Sequence, residues 1–177
     1  MLFRSPKREL PLPATDRKEA EADHLKRPDF SCSFVNPHAV TSAESEVSFH
    51  VECKIIGASS ASGWNYNKHY VVDGMARYDL DSHKYGRYVE DGLMIGFLYD
   101  KEADDVEADI NATIKSELCH YPALKVTSSK KGLHEGKQKI VRRSVSPANF
   151  DLHHKWIELR MRATVKGSGI THNKKAC

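Results

Sequence analysis

The stretch from Val47 to Ile56 constrains the fold more than any other part of the chain. Val47, Phe49, Val51, Cys53 and Ile55 alternate with Ser48, His50, Glu52, Lys54 and Ile56, and a period of two is the signature of a strand, whose successive side chains point to opposite faces. The first set predicts the buried face, and Glu52 and Lys54 fall on the opposite, polar one. Side by side on one strand, a carboxylate and an ammonium are costlier to keep near a core than two apolar residues. For an isolated Glu-x-Lys triplet the plain reading is an ion pair on a strand surface.

The segments around this strand suggest an α/β chain. Phe30, Cys32 and Phe34 alternate with Asp29, Ser31 and Ser33 in a second strand. Tyr66, Tyr70, Val71, Met75 and Tyr78 share a helical face, which Gly74 weakens. Between Gly92 and Asp100, the run Leu93 to Leu98 fits a central strand covered on both faces. A further helix is expected from the stripe Ala103, Val106, Ile110, Ile114 and Leu118, with Asp104, Asp105, Glu107 and Asp109 on its solvated side. Two more strands are expected near Lys139 to Ser144 and near Trp156 to Val165. Thr15 or Asp16 can cap a short polar helix through about Lys26. Residues 1–24 therefore read as a polar tail and short helix, and residues 25–177 as one domain.

Composition narrows the function classes. Residues 125–177 hold 13 Lys/Arg against 3 Asp/Glu, whereas residues 99–118 hold 7 acids against 2 bases. A basic third can supply the phosphate-facing charge that dominates nucleic-acid affinity, with Arg142, Arg143, Arg160 and Arg162 as its candidates. Lys68 and Arg77, on the helix after the Glu-x-Lys strand, read by themselves as solvated cations. No apolar run approaches the roughly 20 residues that span a bilayer, so a cytoplasmic protein is expected. Cys32, Cys53, Cys119 and Cys177 lie far apart with no Cys-x-x-Cys pair, which argues against a disulfide framework or zinc ribbon.

The chemistry rests on carboxylates. Asp29, on the polar side of its strand, can meet Glu52 if the two strands pair. Two carboxylates and a main-chain carbonyl such as that of Cys53 make a suitable oxygen site for Mg²⁺. A metal so held would polarise a phosphodiester and lower the pKa of bound water, with Lys54 orienting the water and neutralising the phosphate.

Pro28-Asp29, followed after 22 residues by Glu52-Cys53-Lys54, resembles the PD-(D/E)xK nuclease signature in order and spacing. VSFHVECKII resembles the strand that carries the (D/E)xK in that superfamily. The segment from His69 to Asp100 is similar to the one after the ECK of bacterial defence-associated members, where a Gly-x-x-Arg-aromatic element precedes a Gly-x-Met-x-Gly-aromatic strand. Here these elements are Gly74 to Tyr78 and Gly92 to Phe97. The likeness covers about residues 25–100.

It implies a restriction-endonuclease-like αβββαβ core, a mixed sheet flanked by helices. It also implies a Mg²⁺-dependent DNA nuclease, with Mn²⁺ as a substitute metal, in a bacterial or phage-defence setting. Asp29, Glu52 and Lys54 would be catalytic; Asp29, Glu52 and the Cys53 carbonyl would hold the metal; and Lys68 and Arg77, on the helix whose start approaches the active site in that fold, would contact nucleic acid. DNA is expected over RNA as the partner, beside other subunits of a defence complex or a second copy of the chain. Some members of the superfamily add a first-helix glutamate, for which Glu19 or Glu21 could serve. One departure is the strand that normally precedes the acidic one, for which residues 1–27 offer no candidate.

Other readings are weaker. Asp151, His153 and His154 are similar to the Asp-His pair of ββα-metal nucleases, but a strand rather than a helix follows, and both histidines are expected at the surface. His120 has no partner at metal-ligand spacing. Trp64 and Tyr66 could stack on a base or on core neighbours. The rival from another class is a non-catalytic subunit that keeps the fold to bind DNA or a partner protein.

Overall fold

The computed structural model of the protein describes residues 27–40, 45–83 and 85–159. The polar helix expected up to Lys26, Glu19, Glu21, Arg160 and Arg162 lie outside the described residues. The elements are β1 (Phe30–Val35), β2 (Glu46–Gly57), α1 (Tyr66–Val72), a 3-10 turn (Met75–Tyr78), β3 (Asp91–Tyr99), α2 (Ala103–Glu117), β4 (Val126–Lys130), β5 (Leu133–Val141) and β6 (Asn149–Glu158). The strands form one open, mixed sheet in the order β1-β2-β3-β6-β5-β4. At its centre β2, β3 and β6 run parallel, and antiparallel strands line both sides. Parallel neighbours need crossover connections, and α1 lies between β2 and β3, while α2 lies between β3 and β6. Among the described residues two strands precede α1, against the three of the αβββαβ core, whose first strand has no candidate in the sequence. No helix among them is long and apolar enough to cross a membrane.

Burial reverses the faces expected of β2. Ile56 is 0 % exposed and Ile55 45 % exposed. Of the set expected to be buried, only Val47 is. The reason is tertiary: α1, the 3-10 turn and α2 contribute Tyr70, Val71, Met75, Val106 and Ile110 to the cluster that also holds Ile56, Met94, Leu98 and Trp156. The even-numbered side of β2 thus faces the helices, and alternation alone cannot tell which side a helix will cover. β3 is central, as expected, but its pattern alternates too. Gly92, Met94, Gly96 and Leu98 are buried, while Leu93, Ile95 and Phe97 are half-buried on the side away from the helices.

The helix expected through Tyr78 breaks at Asp73 and Gly74, where the chain tightens into the 3-10 turn. A Cβ on Gly74 would stand 2.4 Å from the Tyr70 carbonyl oxygen and 2.6 Å from the Met94 methyl. Close backbone approach therefore requires glycine there, and the break aims Arg77 and Tyr78 at β2.

The expected strand near Lys139 to Ser144 begins earlier, at Leu133, and ends before Arg142; the last strand begins at Asn149 rather than Trp156. Lys131 and Gly132, both at positive φ, close a two-residue hairpin between β4 and β5, the backbone that matches strand twist.

His154 corrects the surface assignment. It is buried, with Nδ1 2.7 Å from the Tyr70 hydroxyl and Nε2 2.9 Å from the Gln138 side-chain oxygen. His153 lies on the other side of β6, 2.9 Å from an Asp91 carboxylate oxygen. Trp64 is exposed and stacks on the His69 ring with centroids 3.8 Å apart.

Candidate functional site

Glu52 lies in the middle of β2, in register with Met94 of β3 and, beyond it, His154 of β6. Its side chain is 0 % exposed. Oε1 accepts from the Lys54 amine, two residues on along the same face, and from Nη1 of Arg77 at 2.7 Å. Oε2 is buried with no hydrogen-bond partner. Burial raises the pKa of this carboxyl, and Lys54 and Arg77 act against that rise while Asp29 adds to it.

Asp29 sits just ahead of β1, where Phe30 pairs with Val51. Its Oδ2 accepts from the main-chain N–H of Cys53 at 2.6 Å. The Asp29 carboxylate is thereby fastened to the residue between Glu52 and Lys54, and all three sequence-predicted residues come together. Asp29 itself is exposed. It continues the β1–β2 hydrogen bonding by side chain at the strand end, so a strand-end role and a ligand role use the same placement.

Around this group stand residues that the sequence reading missed. His50 accepts from the Gly86 N–H at Nδ1, at 2.8 Å, and burial pushes its pKa down to about 4. The Tyr78 hydroxyl lies 2.9 Å from the carbonyls of both His50 and Leu93 and donates to one of them. Tyr85, buried, places its hydroxyl 3.5 Å from Nη1 of Arg77 and its ring 5.2 Å from that of His50. Burial also raises the Cys53 thiol to about 11, which leaves it protonated near neutrality and unsuited as a nucleophile. The available signal for Arg77 was the Gly74 to Tyr78 element, but nothing in sequence spacing aims it at Glu52.

Donor chemistry decides which metal could fit. Among the described residues no three His, Cys, Asp or Glu side chains gather as a metal-holding group. That count is too small for a tetrahedral zinc centre. Mg²⁺ keeps several waters and needs only one or two carboxylates, and the bare Oε2 of Glu52 and the exposed carboxylate of Asp29 are of that kind.

The proposed phosphate-binding residues divide. Arg142 corrects the expectation of a surface cation, since it is buried and donates inward to carbonyls. Its Nε and Nη2 reach the Pro147 oxygen at 2.9 and 2.6 Å, and Nη1 reaches those of Tyr85 and Gly86 at 3.0 and 3.2 Å. Arg143 is exposed, with its main-chain N–H on Asp79, whose other oxygen lies 3.0 Å from Nε2 of His120. Lys68 is exposed and pairs with Glu117 at 3.2 Å. Arg77 turns to Glu52. Comparison with protein-family models, with curated proteins and with solved structures finds no match to this chain.

Proposed function

We propose that this chain is a metal-dependent nuclease hydrolysing phosphodiester bonds, DNA in preference to RNA, on a restriction-endonuclease-like core. The carrying observation is the hydrogen bond from the Cys53 amide to Asp29, which brings a carboxylate from before β1 onto the strand that holds Glu52 and Lys54. Asp29, Glu52 through Oε2, and the Cys53 main-chain carbonyl would hold Mg²⁺ or Mn²⁺. Such an ion supplies a polarised phosphate and a bound water of lowered pKa. The chain's own residues do the rest. Lys54, with a side chain 21 % exposed, can turn its amine to a phosphate oxygen or to the attacking water. Burial of Glu52 strengthens its interactions with nearby charges relative to water. Arg143, exposed, would face the flanking backbone, and Lys68 would join it by leaving Glu117. A setting in bacterial or phage defence, in the cytoplasm, with further subunits or a second copy of the chain, belongs to the same reading.

A second reading is supported by one observation: Oε1 of Glu52 is already taken by Lys54 and Arg77. A subunit that keeps the fold to bind DNA or a partner protein could retain such a closed ion cluster. Supercoiled plasmid incubated with Mg²⁺, and with chelator, separates the two. Metal-dependent nicking that is lost in Glu52→Gln supports the nuclease; intact plasmid at every metal concentration, with DNA still bound, supports the subunit.

A further inference from the structure

Glu52 is an asymmetric carboxylate. Both of its protein cations reach Oε1, and Oε2 is sealed from solvent with nothing bonded to it. Lys54 belongs to the same strand, two residues away, and stays there whatever happens to the helices. Arg77 comes from another element, the 3-10 turn that Gly74 permits, and its guanidinium is held between Glu52 and the Tyr85 hydroxyl. In low-dielectric surroundings each fixed positive charge weakens the pull of a carboxylate on a second cation. A divalent ion approaching Oε2 therefore meets the field of Arg77 at the far oxygen of the same carboxylate.

We propose that Arg77 is the built-in counter-ion of Glu52, neutralising the carboxylate in the metal-free protein and holding its affinity for a divalent cation down. This rests on the reading of Glu52 as a metal ligand, and gives Arg77 a role other than nucleic-acid contact. It sets a cation against the cost of enclosing a carboxylate that is 0 % exposed: an uncompensated buried charge is strongly unfavourable, and a paired one is tolerated. Lys54 then need not serve as the sole counter-ion, and its amine can leave Glu52 for a phosphate while Arg77 keeps the charge balanced.

The test is Mn²⁺ binding to the full chain without nucleic acid, followed by the electron paramagnetic resonance signal of free Mn²⁺. Arg77→Met should tighten binding about tenfold, the scale of a modest coulombic release. Arg77→Lys, which keeps the charge, should stay within about twofold of the parent, and Glu52→Gln should lose the site. Arg77→Gln serves as a second neutral variant if Arg77→Met fails to melt cooperatively. Unchanged or weaker binding in a folded neutral variant overturns the counter-ion role and leaves the metal reading standing. Binding in Arg77→Met with none in the parent supports the proposal. No Glu52-dependent binding in any variant overturns both.

Discussion

The guanidinium carbon of Arg142 lies 3.9 Å from the centre of the Phe150 ring, so a residue that the charge pattern assigned to a nucleic-acid surface is instead a strut inside the fold. Its donors hold the loop from Tyr85 to Gly86 and the Pro147 carbonyl, and burial lowers its pKa to about 10. Arg142→Ala leaves several buried carbonyls without donors, each worth about 1–3 kcal/mol when orphaned. The expected loss is at least about 3 kcal/mol in urea unfolding, against less than ~0.5 kcal/mol for the exposed Arg143→Ala. Near-equal effects of the two substitutions would contradict this placement.

The reversed faces of β2 give a second comparison. Ile56→Ala should cost about 2–4 kcal/mol, because its side chain is enclosed by the helix-covered core. Ile55→Ala, on the open side, should cost under ~1 kcal/mol. The opposite ranking in denaturant titrations would restore the face that alternation suggested.

Much of the sheet was legible because strands β1, β2 and β3 each announce themselves by alternation or an apolar run. The side facing the helices was not, since alternation gathers the apolar residues on the odd-numbered side, and Ile56 is the one aliphatic residue of the side that packs against Tyr70, Val71 and Met75. The β4–β5 hairpin was missed because Lys131 occupies a positive-φ position usually filled by Asn, Asp or Gly. Asp29, Glu52 and Lys54 were legible as a spacing. The pairing of Arg77 with Glu52 was not, because it depends on a helix break and a turn direction that sequence periodicity does not encode.

Acid should destabilise the protein before its carboxylates titrate. Burial lowers the pKa of His154 to about 3 and that of His50 to about 4, below the ordinary value of 6.5. The unfolded chain therefore binds more protons than the folded one between those limits, and stability must fall as pH drops below about 6.5. Each histidine contributes a slope approaching ~1.4 kcal/mol per pH unit. Glu52, raised by burial, acts in the opposite sense, so the histidine slope is read in the Glu52→Gln background. Urea midpoints that stay constant from pH 7.5 to 5 would contradict the neutral assignment of the buried His154 and the half-buried His50.

Glu52→Gln should also be visible in the melt. With the carboxylate fully enclosed and two cations drawn onto it, its neutral replacement strands part of their charge, and a loss of about 1–3 kcal/mol is expected because both partners can still reach solvent. A thermal midpoint equal to the parent's would indicate that the ion cluster contributes nothing to folding.

The most direct measurement is Mg²⁺-dependent plasmid cleavage by Asp29→Asn. Asparagine keeps a side-chain oxygen that can accept from the Cys53 amide, so the strand end and the thermal midpoint should be preserved within about 0.5 kcal/mol. It removes the negative charge that a metal ligand needs. The account predicts a folded protein with cleavage reduced at least ~100-fold, on the scale of losing a catalytic metal ligand. A folded Asp29→Asn that cleaves like the parent would reduce Asp29 to a strand-end hydrogen bond and contradict the metal site assigned to Asp29, Glu52 and Cys53.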